Sequence, residues 1–248
     1  MSIRRTAGYL HLVVLLGTAS IAQAANFQVL PLRLSFAPDQ RALSLSLSNI
    51  DIQPVVIEAR AFLWEQIDGV DTLTPTTDLV ITPPLAEVPA NGRQLIRVGR
   101  RATVKAGPIE RSYRVMLQEV VPTTESARSG LRFSLRLSLP VFITPKLEDD
   151  VLARATPEWS ATPGPMGELE VALRNSGTAH LQVAGFEVAG ADDEPPAQQS
   201  SMTYVLAGQT RRYLLKPTGP LPVAGTLLTI KASTDAGDQV ARVAFAQP

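Results

Sequence analysis

The stretch Leu131-Arg-Phe-Ser-Leu-Arg-Leu-Ser-Leu-Pro-Val141 sets an apolar side chain at every odd position and continues the series to Ile143. A β-strand turns successive side chains to opposite faces, so the segment presents one oily face and places Arg132, Ser134, Arg136 and Ser138 on the other. It is far longer than the usual strand of about 5–6 residues, and a long apolar edge strand is a liability unless something pairs with it. Two uses fit: a sandwich core strand that is merely long, or a strand lent to another protein. The preceding segment, Pro122 to Gly130, is rich in turn residues and gives the first half little support.

Outward from this strand the pattern stays β. Candidate strands are Phe27–Ser35, Ala42–Asn49, Val55–Trp64, Val80–Thr82, Gln94–Gly99 and Arg111–Val120, followed by Leu131–Ile143 itself. Seven strands in about 120 residues fit an immunoglobulin-like sandwich. Thr144-Pro-Lys-Leu-Glu-Asp-Asp150 then stops the strand and gathers charge, which reads as a hinge with Glu148, Asp149 and Asp150 as a solvated linker. Shorter candidates follow at Glu168–Asn175, Leu181–Val188, Ser201–Leu206, Thr210–Lys216, Gly225–Ala232 and Val240–Ala244. No segment sustains the period of a long amphipathic helix, and no internal repeat is evident. The expected fold is all-β, with two immunoglobulin-like sandwich domains.

Arg4 and Arg5, an apolar stretch around Leu10 to Ile21 and Ala22-Gln-Ala24 have the form of a secretory signal peptide, with cleavage expected after Ala24. The expected organisation is therefore a signal over 1–24 and domains over 25–146 and 147–248. The run is too short and interrupted for a membrane anchor. Losing two arginines takes Lys and Arg from 23 to 21 against 23 acids, a net charge of −2 that gives no sign of a nucleic-acid partner. Cysteine is absent, so neither disulfides nor thiolate metal sites are expected, and His180 is the only histidine beyond the signal. A lone histidine beside a turn reads as a packed or capping residue. Phosphate loops, nucleophile elbows and zinc-protease motifs are missing, so no enzyme, cofactor or metal is expected.

Arg33 stands in the otherwise apolar first strand, Phe27-Gln-Val-Leu-Pro-Leu-Arg-Leu-Ser-Phe36. It is either a solvent-facing or ion-paired residue, or a two-pronged receptor for a carboxylate such as another chain's C-terminus.

Val29-x-Pro-x-Arg-Leu-x-Phe36, Asn49, Ile81-Thr-Pro-Pro84, Gln94-Leu-Ile-Arg97, Tyr113-Arg-Val-Met-Leu-Gln-Glu119 and Leu139-Pro-Val-Phe-Ile-Thr-Pro145 occur in the order seen in periplasmic pilus-assembly chaperones. The chain resembles a chaperone of the chaperone–usher pathway, and the likeness extends to Leu173-Arg-Asn-Ser-Gly-Thr-Ala-His180. The resemblance implies a boomerang of two immunoglobulin-like domains. The first would lend its last strand to a pilin or fimbrial subunit and deliver that subunit to an outer-membrane usher. Leu131, Phe133, Leu135 and Leu137 would fill the subunit's groove by strand addition. Pro54 and Ile81 to Pro84 would belong to the face offered to the usher. Arg33 matches the family's carboxylate anchor, whereas Pro140 stands where the family has a lysine; Arg136 or Lys146 would then supply the second cation. Arg97, Glu119 and Asp235 match a charge cluster that bridges the domains, against the plainer reading of three unrelated surface charges. The free protein would shield its donor strand by mutual capping. The competing function is a secreted immunoglobulin-like module of a surface fibre or one that binds carbohydrate. Aromatics at 5%, with Trp64 and Trp159 far apart in sequence, argue against a sugar platform.

Overall fold

The computed structural model describes residues 27–120, 134–147, 152–190 and 197–246. The expected signal peptide, Leu131, Phe133 and the acidic run from Glu148 to Asp150 lie outside them. The described residues form eighteen strands and one short 3-10 turn. In the first half these are β1 (Phe27–Leu30), β2 (Leu34–Phe36), β3 (Ala42–Asn49), β4 (Val55–Ile67), β5 (Val70–Pro75), β6 (Leu79–Thr82), β7 (Leu85–Val88), β8 (Arg93–Arg100), β9 (Arg111–Glu119) and β10 (Arg136–Ile143). The second half holds β11 (Pro157–Pro163), β12 (Leu169–Asn175), β13 (Leu181–Ala189), β14 (Ala197–Gln199), β15 (Thr203–Val205), β16 (Thr210–Leu215), β17 (Leu227–Thr234) and β18 (Gln239–Ala244).

A four-stranded sheet, β1-β3-β8-β6, packs on a six-stranded one, β2-β10-β9-β4-β5 with β7 on β4. Alternation sends Leu45, Leu47 and Ile96 from one sheet, and Ile57, Val115 and Val141 from the other, into one dry core. The second sandwich pairs β11-β12-β16 with β14-β13-β17-β18, β15 lying on β13, around Leu173, Val183 and Ile230. The all-β, two-sandwich architecture agrees with the expectation.

Details differ for physical reasons. The expected first strand is two strands in two sheets: β1 pairs with β3 and β2 runs parallel to β10. Pro31, which has no N–H to give a ladder, lies between them. Periodicity also missed β5, an edge strand whose residues are mostly exposed and show no oily face. Its signal was the turn Asp68-Gly69, with both residues at positive φ, the chemistry of a tight hairpin.

One device closes the end of a strand in both sandwiches. Asn49 donates to Gln53 O and Val88 O while its Oδ1 accepts from Asp51 N. Asn175, fully buried, donates to Ala179 O and Val205 O and accepts from Thr156 N and Gly177 N. The second asparagine fixes the turn that delivers His180.

Candidate functional site

Of the expected strand Leu131–Ile143, the described residues form β10 from Arg136 onward, next to the short edge strand β2 of the six-stranded sheet, with Ser134 and Leu135 preceding the strand. The inner side of β10 pairs with β9 over its whole length, whereas β2 covers its outer side only from Val141 to Ile143. Leu135 O accepts from Glu119 N, so odd residues turn main-chain groups toward β9 and even residues turn theirs away. Among the described residues, no strand pairs with the outward main-chain groups upstream of Val141. Pro140, whose missing N–H would point outward, fits this parity.

Side chains follow the same alternation. Leu139, Val141 and Ile143 enter the first core, Leu137 is half-buried against it, and Leu135 closes a small gap beside Phe27, Val55 and Ile57. Leu135 and Leu137, the described part of the expected donor face, are thus continuous with the domain's own core, and Leu137 already serves that core in part.

The outer face of the same sheet carries Trp64, Arg114 and Phe142, and the second sandwich packs there. Trp64, Phe142, Tyr204 and Leu206 make a small core between the domains. Gln66, only 4% exposed, bridges it: Nε2 donates to Tyr204 O at 2.8 Å and Oε1 accepts from Leu206 N at 3.0 Å. Asp71 accepts from Trp64 Nε1 and Gln66 Nε2 and pairs with Arg211 across the interface.

His180 lies flat on Phe142, with ring centroids 3.7 Å apart and planes within 8°. Its Nδ1 meets Glu110 Oε1 at 2.7 Å, which places the ring proton there and leaves Nε2 to face Arg33 Nη1 at 3.5 Å. His180 is thus packed, as expected of a structural histidine, and it sits between the domains.

Arg33 Nη1 donates to Asp235 Oδ2 at 2.9 Å, and 44% of its side chain remains exposed. The guanidinium therefore does hold a carboxylate, one from its own chain. The expected trio of Arg97, Glu119 and Asp235 is not assembled. Arg97 points outward from β8 between two core residues, Glu119 points inward from β9 and accepts from Leu135 N, and Asp235 follows β17 and pairs with Arg33. Arg97 faces out of the four-stranded sheet while Glu119 faces into the core from the six-stranded one, so the four-stranded sheet lies between them.

For the second cation, Lys146 pairs instead with Asp39 at 3.6 Å, and Arg136 lies on the exposed far end of β10. Sequence reasoning missed Arg114. It stands opposite Pro140 in the β9–β10 register, while Arg33 lies in the bend just before Leu34, which pairs with Val141 from the other side. The two arginines thus come from the two strands that border β10. The Arg114 guanidinium lies 3.7 Å over the Trp64 ring, its Nη1 reaches Ser138 O at 3.4 Å, and burial lowers its pKa. The clue in the sequence was an arginine amid apolar residues in Tyr113-Arg-Val-Met-Leu117; its partner needed the register.

Among the described residues no helix is long and apolar enough to cross a membrane, and no cluster could hold a metal ion. None of the curated proteins matches the chain. Among solved structures, it is similar to the CsuC–CsuE chaperone–tip adhesion subunit pre-assembly complex of Acinetobacter baumannii, with 18% identity, TM-score 0.68, and coverage of 90% of this chain and 100% of that one. The SafA pilin–SafB chaperone complex of Salmonella enterica matches at 15% identity and TM-score 0.59, covering 90% and 97%. The E. coli chaperone DraB matches at 13% and 0.56, covering 90% and 98%. These likenesses establish the fold. Residues 26–148 match the family described as pili and flagellar-assembly chaperone, PapD N-terminal domain, and the chain belongs to that family of assembly chaperones.

Proposed function

We propose that the protein is a non-enzymatic periplasmic chaperone that binds and caps one pilin or fimbrial subunit by donating β10 and its upstream extension, then passes the subunit to an outer-membrane usher. In this reading residues 1–24 are removed on export, 25–146 form the donor domain and 147–248 the second domain. The observation that carries it is the edge of β10: outward main-chain groups unpaired by β2 upstream of Val141, beside an apolar row continuous with the domain core. A partner strand added there extends the sheet, and its core merges with the chaperone's own. Leu131, Phe133 and Leu135 fill the partner's groove, with Leu137 shared between the two cores. Each side chain so buried contributes about 1.5–3 kcal/mol before ordering costs.

Arg33 and Arg114, from the two sides of β10, receive the subunit's terminal carboxylate. Arg114 takes the role expected of Arg136 or Lys146, and Pro140 ends main-chain pairing where the carboxylate must turn to the cations.

The test is co-expression with an exported subunit encoded beside the chaperone, followed by purification on a C-terminal tag. A stoichiometric complex is expected, lost on Leu135→Asp and strongly reduced on Arg33→Ala or Arg114→Gln with the chaperone still folded. Full recovery of subunit with Arg33→Ala sinks the anchor; recovery of the chaperone alone from the native host under fibre-producing conditions sinks the chaperone function.

A further inference from the structure

The chain balances 23 Lys and Arg against 23 Asp and Glu, yet one cavity gathers four cations and a single acid. It has a volume of about 210 Å³ and is lined by Pro38, Asp39, Arg41, Arg100, Lys105 and Lys146, drawn from the last residue of β8 and from the segments that follow β2, β8 and β10. That volume is several times the roughly 30 Å³ occupied by one water molecule. The backbone holds these segments together: Arg100 N donates to Arg41 O at 2.8 Å and Lys146 N to Gly107 O at 2.9 Å.

Arg100 is the unusual member. Only 6% of it is exposed; Nη2 donates to Pro38 O at 2.7 Å, while Nε and Nη1 are buried without a partner. A buried charge with unmatched N–H groups is costly, and here a second arginine adds repulsion. Burial first, and Arg41 next, lower the Arg100 pKa. Asp39, the one acid in the wall, is already shared with Lys146. Four cations against one carboxylate leave an excess of three positive charges around a cavity that opens to solvent, with Arg100 at its buried side.

We propose that this cavity binds a phosphate group, carried either as inorganic phosphate or on an anionic lipid headgroup. A guanidinium fork meets two phosphate oxygens side by side, and a dianion offsets more of the excess charge than a carboxylate does. The site draws on none of Arg33, Pro140 and Arg114, so it stands independently of subunit capping.

The experiment titrates the mature protein with sodium phosphate by calorimetry at constant ionic strength, with acetate and chloride as controls. Flotation with phosphatidylglycerol vesicles forms a second arm. Saturable phosphate binding is expected, weakened about tenfold or more in Arg41→Gln and Lys105→Gln. These rim variants avoid the folding risk of Arg100→Gln, and circular dichroism confirms that each is folded. Free-phosphate binding without flotation assigns the soluble anion; flotation that phosphate competes away and Lys105→Gln abolishes assigns the headgroup. Binding in neither arm, heats matched by acetate or chloride, or binding unchanged in both variants overturns the site.

Discussion

Gln66 illustrates what a single side chain does at the junction. It satisfies a buried carbonyl and a buried N–H of the opposite domain at once, so Gln66→Ala should cost about 1–3 kcal/mol for each group left unpaired, read from denaturant unfolding. The Arg33–Asp235 pair is different. With both partners partly exposed it contributes about 0–1 kcal/mol, so Arg33→Ala should leave the melting temperature nearly unchanged while subunit capture falls. Tyr113 carries a pH signature. Burial first, and its 2.8 Å bond to Asp78 next, push its pKa up to about 12 from 10.0. The neutral phenol is therefore favoured in the folded state. Its stabilisation is complete below pH 10 and falls by about 2–3 kcal/mol as pH rises through 12. Tyr204 and Tyr213 are raised by burial as well, so Tyr113→Phe should remove only its own share of the alkaline loss in unfolding curves taken across this range. Arg33 was legible in the sequence because an arginine breaks an apolar strand. Its pairing with Asp235, 202 positions away, was not, because only the packing of two domains brings them together.

Among the elements, β10 was the most legible, since a period of two over many residues admits no helix. Which of its edges stays open depended on where β2 stops, and composition does not encode that. The parity of its main chain makes a sharp prediction. Ser138 turns its N–H away from β9, so Ser138→Pro should spare the fold, shifting the melting temperature little, yet abolish co-purification of a subunit that needs that hydrogen bond. A proline that unfolded the domain would show the parity to be wrong. The Asn175 turn is constrained more tightly. A Cβ on Gly177 would run into the backbone of Arg154 and Ala155, and Gly177→Ala should destabilise the second domain by about 1–3 kcal/mol in thermal unfolding, displacing His180 from Phe142. The twin asparagine devices at Asn49 and Asn175 went unseen as a repeat, because they share hydrogen-bond geometry rather than neighbouring residues.

At the scale of the molecule, the described residues join the two sandwiches through one small apolar core, one buried glutamine, the His180–Glu110 hydrogen bond and two ion pairs, Arg33–Asp235 and Arg211–Asp71. The two tryptophans sort themselves usefully, Trp64 at the junction and Trp159 against the second core. Unfolding followed by their fluorescence should be a single transition in the wild type and split into two in Gln66→Ala, as the junction loosens before either core. The architecture itself was readable from strand count and the break after Ile143. The junction was not, since its residues come from strands and loops scattered between Arg33 and Asp235 that no local pattern links.

The five residues from Leu139 to Ile143 are buried without interruption, odd ones in the first core and Phe142 in the core between domains, whereas Arg136 and Ser138 upstream are exposed on one side. A substitution downstream is therefore judged by two sets of neighbours, and one upstream by a single set. Descendants of this protein can retune what they carry by drift in the first part of the strand, while the last five positions stay locked by the joint that gives the molecule its shape.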